Sequence, residues 1–183
     1  MNIFKTNINN VVDYVKDIMS RQEEACIYAV SDDNYVATGS NGDTNLEKMY
    51  DLGIKKVPII HEGGTIVLSP GDVEVGIFTY DYRGQKIRDN ILQDIVSLCR
   101  QKGHQAILSG NDIMVNGKKV GGSGSRFFGK MLFTTIQVSV GINLELIKEI
   151  CTKPMIKVPD GLSNYGITTE EILDILYRNI ENN

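Results

Sequence analysis

Two adjacent lysines followed at once by glycines carry the chemistry this sequence is able to do. The stretch Asn111-Asp112-Ile113-Met114-Val115-Asn116-Gly117-Lys118-Lys119-Val120-Gly121-Gly122-Ser123-Gly124-Ser125-Arg126 alternates apolar and polar residues, reaches Asn-Gly, and resumes extended sequence. Asn-Gly between two such runs predicts a type I′ hairpin, because that turn needs positive φ at both central residues. Lys118 and Lys119 then start the return strand, and alternation sends them to opposite faces. One amine should point into the protein or a cleft and the other into water. Gly121, Gly122 and Gly124 stand where a strand favours β-branched residues, so they suggest close approach of a ligand or another backbone. A fixed lysine beside bare glycine backbone suits a carboxylate or a phosphate. The competing reading is an ordinary surface hairpin whose lysines blunt an edge strand. A second glycine pair stands in His61-Glu62-Gly63-Gly64-Thr65. Its amides can cradle an anion, or it can be a tight turn that needs positive φ.

Other elements must position these groups. Apolar spacing over residues 9–19 predicts a helix capped by Asn9 or Asn10. Residues 26–30 and 35–39 read as two strands joined by a turn, and Thr44 or Asn45 can cap a helix ending near Leu52-Gly53. Strands follow at 56–60, 66–68 and 73–80, and a long helix over 84–103 has Gly103 as its stop. Residues 105–108 and 130–138 read as strands, and 143–150 as a short helix closed by Pro154. Residues 155–166 read as an irregular connection. Thr168 and Glu171 fit a capping box that opens the last helix. These elements make one α+β domain over residues 1–183, with a mixed, largely antiparallel sheet packed with helices.

Composition sets outer limits. A chain of 183 residues with 42% hydrophobic and 23% charged content suits a soluble globular domain. A net charge of −4 argues against a nucleic-acid partner. No apolar run approaches the length of a membrane span, and the first residues lack the apolar core of a signal peptide. Cys26, Cys99 and Cys151 are far apart in apolar stretches, which predicts buried free thiols and a cytoplasmic location. With only His61 and His104, a histidine-rich metal site is not expected.

Taken in order, the segments from about Val11 to Arg178 resemble the catalytic domain of lipoate–protein ligases, within the biotin/lipoate ligase superfamily. Val36-Ala37-Thr38-Gly39-Ser40-Asn41 with Asn45-Leu46-Glu47 is similar to the family's "IGRNQN" strand end and "NLE" helix. Gly63-Gly64-Thr65 and Pro70-Gly71-Asp72 resemble "RRxSGGGAVxHDxGN", and residues 111–126 resemble "NDIxVxGKKVSGSAxR". Residues 162–167 resemble the "SLxxxGI" that leads into the last helix. The resemblance implies an enzyme that joins ATP and lipoate, or octanoate, into an acyl-adenylate. It would then pass the acyl group to a lysine of a lipoyl-carrier domain. By the same resemblance Lys119 contacts the acyl carboxylate and the nucleotide α-phosphate, and Asn111 and Asp112 face the nucleotide, Asp112 with a Mg²⁺. Gly63, Gly64, Thr65, Gly122, Ser123 and Arg126 would line the substrate.

The sequence departs from the family pattern at several places. Ile59 and Ile60 stand where the pattern has an arginine pair, Leu68 and Ser69 where it has "HD", and Leu132-Phe133-Thr134 where it has "HHG". His61, close to the lost positions, is a candidate stand-in. The chain ends after one helix without the accessory C-terminal domain of many lipoate ligases, and such short forms use a separate accessory protein or take acyl groups from another carrier. Two alternatives therefore stand beside the ligase. One is a catalytically reduced member that binds a carrier domain or small ligand without turnover. The other is a biotin ligase, although the arginine-rich "GRGRxGRxW" loop and any Trp are absent.

Overall fold

Turn chemistry and strand pairing build ten strands of this chain into two sheets that face one another. The computed structural model describes residues 1–38, 44–57, 65–153 and 155–182. In chain order the elements are β1 (Asn2–Thr6), α1 (Val11–Arg21), β2 (Ala25–Val30), β3 (Tyr35–Thr38) and α2 (Leu46–Asp51). Next come β4 (Lys55–Val57), β5 (Thr65–Leu68), β6 (Val73–Thr79), α3 (Arg83–Gln101) and β7 (Ala106–Ser109). The chain continues through β8 (Asp112–Val115), β9 (Lys118–Phe128), β10 (Met131–Val138), α4 (Leu144–Ile150) and α5 (Thr169–Glu181). The large sheet has the order β1-β2-β6-β10-β9-β8-β7, and the small one β4-β3-β5. β1 with β2 and β3 with β4 are parallel pairs; the other pairs are antiparallel. The result is the expected α+β domain on a mixed, mostly antiparallel sheet.

The centre of each sheet is apolar on both faces because it is covered twice. On one face of the large sheet, Ile87, Ile91 and Ile95 of α3 and Ile172 and Leu176 of α5 pack on Cys26, Val75, Ile77 and Ile136. On the other face, Ile27, Phe78 and Phe133 meet Tyr35, Ala37 and Leu68 of the small sheet, with Val15 and Ile18 of α1 alongside. Beyond the small sheet, Met49 of α2 and Leu146 and Ile150 of α4 cover Val36.

Several expectations needed tertiary information. β1 was not foreseen; its alternating burial is weak, and only parallel pairing with β2 makes it a strand. β2 and β3 do not pair with each other. The turn between them carries the chain from one sheet to the other, and Ser31 is locked to the β5–β6 turn by Ser31 N–H to Asp72 O and Gly71 N–H to Ser31 O, each 2.8 Å. The side chain of Asn10 makes no cap bond at α1; Asn7 instead accepts from Asn9 N–H and caps a 3-10 turn that feeds the helix. Asn45 caps α2, Asn143 caps α4, and the Thr168–Glu171 capping box forms as read. Cys26 and Cys99 are buried, but Cys151 is half-buried and borders a cavity. The connection over 155–166 is not irregular throughout, since it includes the 3-10 turn Leu162–Tyr165 and a bridge to Lys119.

Candidate functional site

The hairpin from β8 to β9 turns as the sequence predicts, with φ of 48° at Asn116 and 80° at Gly117. Beyond the turn, Val115 faces Lys118 and Met114 faces Lys119, but Ile113 then faces Gly121, so Val120 is an extra residue, a β-bulge. The bulge has a chemical consequence. Residues 119 and 122 differ by an odd number, and a regular strand would send their side chains to opposite faces. One inserted residue restores them to the same face, which is how bulges re-aim side chains. Val120 is buried in the core under α3 and α5. Lys119 stands over Gly122, its Nζ 2.7 Å from Asp112 Oδ1. Its main chain is held on the other side too: Lys119 N–H donates to Val158 O at 2.9 Å, and Asp160 N–H donates to Lys119 O at 2.8 Å.

Lys118 corrects an expectation. Its amine is half-exposed rather than free in water, and it bonds the buried carboxylate of Asp160 at 2.8 Å. Burial opposes the charge of Asp160. The bonds from Lys118, Tyr165, Asn164 and the Gly161 amide outweigh it and hold the carboxyl down at about 2. One lysine therefore anchors the 158–160 segment while its neighbour is left for chemistry.

Gly122 is glycine for a visible reason. A Cβ there would lie 3.0 Å from Asp112 Oδ1 and 3.4 Å from Lys119 Nζ, so the ion pair occupies the space a side chain would take. The pair stands at the wall of a cavity of about 570 Å³ between the two sheets. Ala37, Ile66, Val67, Ile142 and Ile147 give it an apolar side. Lys157 donates to Asp112 Oδ2, so that carboxylate lies between two ammonium groups. Burial works against the charge on Asp112, but the two lysines prevail and lower its pKa. Two cations on one carboxylate, open to a cavity, leave positive charge for an incoming anion.

Two other carboxylates behave in the opposite way. Burial pushes Asp72 up to about 7, despite main-chain donation from Ser69, Val140 and Gly141, and nearby Glu74 adds to the rise. Asp72 ties the turn before β6 to the end of β10 through Ser69 N–H at 2.9 Å and Val140 N–H at 2.7 Å. Glu74 is likewise raised to about 7 by burial.

Of the residues singled out from the sequence, Lys119, Asp112, Gly122, Ser123 and Thr65 all line the cavity. Asn111 does not; it contributes its carbonyl, which accepts from Ser123 N–H at 2.9 Å. Arg126 shares the strand with Gly122 but lies beyond the cavity, its guanidinium 4.9 Å from the Phe128 ring centre. His61, Gly63 and Gly64 fall outside the described residues. Lys157, Gln137 and Glu74 line the cavity and were not foreseen. Lys157 sits in a stretch with no periodicity, and the other two sit in strands whose neighbours are apolar. Among the described residues no cluster of three His, Cys, Asp or Glu side chains could hold a metal alone. Asp112 as a single carboxylate fits Mg²⁺ arriving with a nucleotide, because that ion takes most of its ligands from phosphates and water. No helix among the described residues is long and apolar enough to cross a membrane.

The departures from the family pattern also have a structural account. Leu68 and Phe133, at two of the expected histidine positions, are buried in the core between the sheets, and Phe133 stacks on Phe78 with ring centres 4.6 Å apart.

Residues 12–179 match the lipoyl protein ligase A/B catalytic domain. No curated protein sequence matches the chain. P. falciparum LipL1 in complex with lipoate has a TM-score of 0.78 at 15% identity, over 99% of this chain and 59% of that one. Lipoate-protein ligase A bound with ATP has a TM-score of 0.76 at 15% identity, over 99% of this chain and 84% of that one. A bipartite lipoate protein ligase from T. acidophilum, studied with its lipoyl domain, has a TM-score of 0.74 at 15% identity, over 99% and 82%. The chain thus spans 59% of the length of LipL1. At such identities the likeness to solved structures is one of fold, whereas the family match runs through nearly the whole sequence. The chain belongs to the lipoyl protein ligase A/B catalytic-domain family.

Proposed function

We propose that the protein is a lipoate–protein ligase-like enzyme that activates a carboxylic acid of the lipoate or octanoate class with ATP. The observation that carries this reading is the Lys119 ammonium, paired with Asp112 over the bare backbone of Gly122 at one end of an apolar-sided cavity. Joining a carboxylate to a nucleotide α-phosphate brings two anions together. A fixed ammonium lowers that repulsion and stabilises the charge that develops on the phosphorus oxygens. The carboxylate oxygen attacks the α-phosphorus, the bond to the leaving pyrophosphate breaks, and an acyl-adenylate forms. The amine of an acceptor lysine on a lipoyl-carrier domain then attacks the acyl carbon and expels AMP. Lys157 is the second cation available to phosphate. Asp112 would be the residue to hold a Mg²⁺ arriving with the nucleotide, and that ion would supply charge neutralisation at the phosphates. A cytoplasmic location and a separate accessory protein belong to the same reading.

The burial of Leu68 and Phe133 favours a second reading, a reduced member that binds a carrier domain or small acid without turnover. Exchange of labelled pyrophosphate into ATP in the presence of lipoate, octanoate or biotin separates them. The enzyme reading expects exchange with the first two and none in Lys119→Ala. Absence of exchange with every acid, alongside measurable acid binding, would leave the second reading.

A further inference from the structure

The inner face of the large sheet carries a charged residue, Glu74, two strands away from the strand that bears Lys119. Antiparallel pairing sets Ala29 opposite Glu74, Glu74 opposite Gln137, Gln137 opposite Gly122, and Gly122 opposite Asp112. Residues paired across neighbouring strands point to the same face. These five residues therefore form one row across the floor of the cavity, and all of them line it. Within β6, Gly76 and Phe78 share that face and are buried, and Phe78 belongs to the core between the sheets. Of the two carboxylates in this row, Asp112 is paired with Lys119 and Lys157, and Glu74 is the other. It forms no hydrogen bond or ion pair among the described residues. Gln137, next in the row toward Lys119, donates its Nε2 to Ser139 Oγ at 2.9 Å, leaving its amide oxygen as an acceptor for the cavity.

A hydrocarbon tail laid along this floor would leave a carboxylate buried against methylenes, at the cost of an unpaired polar group. The same floor rewards a chain that carries a donor. Strands about 4.8 Å apart put the backbones of Glu74 and Gly122 about 10 Å from each other. We propose that the cavity selects an acid whose chain bears a hydroxyl or N–H donor about 10 Å, two strand spacings, from its carboxylate, in preference to lipoate and octanoate. Lys119 takes the carboxylate at one end of the row, and Glu74 accepts from the donor at the other. This inference rests on the acid-binding part of the proposed function and narrows its substrate class.

The test is calorimetric binding of octanoate, lipoate, ω-hydroxyoctanoate and ω-aminooctanoate to the full chain, as wild type, Glu74→Leu and Glu74→Gln. The expected result is that at least one donor-bearing acid binds wild type about tenfold or more tightly than octanoate, the scale of a single good hydrogen bond to a charged group. Glu74→Leu should reverse that order, and the near-isosteric Glu74→Gln should weaken the amine more than the hydroxyl. Equal or tighter binding of octanoate and lipoate by wild type overturns the inference while the acid-binding reading stands. A donor preference that survives in Glu74→Leu overturns the role given to Glu74. If none of the acids binds, the proposed function fails and this inference fails with it.

Discussion

Gly122 and Lys119 act as one unit, because the side chain that Gly122 lacks is the room in which the ammonium meets Asp112. Gly122→Val should therefore displace Lys119 and reduce pyrophosphate exchange by about a hundredfold or more, the scale of losing one preorganised electrostatic contact. Its melting temperature should stay close to wild type, because Gly122 faces a cavity and not the core. Exchange at the wild-type rate would separate the pair from the chemistry. Lys157 tests a different aspect. Its ammonium touches Asp112 from a segment outside the sheet, so Lys157→Ala should raise KM for ATP by about tenfold with a smaller change in kcat. A steady-state titration of ATP at saturating acid measures both constants.

At the scale of elements, the site depends on how β9 is gripped from two sides. β8 fixes one edge of the strand, and the 158–160 segment fixes Lys119 through two main-chain bonds. Asp160 holds that segment to Lys118, Asn164, Tyr165 and the Gly161 amide. Asp160→Ala leaves several donors without their acceptor and should cost about 2 kcal/mol or more in denaturant unfolding. Its pH signature follows from the sign of the shift. Because the folded carboxyl sits at about 2, below its ordinary 3.8, it contributes stability above pH 3.8 that is lost as pH falls toward 2. The variant should show a shallower acid limb than wild type between these values, measured by thermal melts. At α5 the capping box predicts a smaller effect, about 1 kcal/mol for Thr168→Ala.

For the whole molecule, packing two sheets face to face creates both the core and the cavity. Where side chains interdigitate, as with Phe78 and Phe133, the layer is closed. Toward Gly122 and Gly124 it opens, and polar groups enter. Asp72 and Glu74 are consequences of that opening, each raised to about 7 from ordinary values of 3.8 and 4.5. A folded carboxyl held above its unfolded value contributes stability below that unfolded value, and the contribution is lost as pH rises through about 7. Melting temperature should accordingly fall from mildly acid to mildly alkaline pH. Glu74→Leu should flatten part of this fall and gain at least about 1 kcal/mol on the alkaline side. An unchanged pH profile in that variant would show that Glu74 is well solvated in the folded state.

Local chemistry was legible in the sequence wherever a residue's own geometry decided the outcome. Asn116-Gly117 sets its turn through positive φ, Asn45 and Thr168 cap their helices through side-chain oxygens, and the spacing of Ile87, Ile91 and Ile95 marks the buried stripe of α3. The order of motifs also carried the family. The partners of each strand lay outside what the sequence could tell, because pairing depends on residues far away in the chain. That is why β1 went unforeseen and why β2 and β3 ended in different sheets. The bulge at Val120 was equally hidden, since an inserted residue leaves no mark until register with β8 is known. Only the folded chain therefore decided which lysine faces the cavity. Only the folded chain set Glu74, Gln137 and Lys157 around it, because hydrogen-bond register and not proximity in sequence decides cross-strand neighbours such as Glu74 and Gln137, and the packing of a connection outside the sheet brings in Lys157.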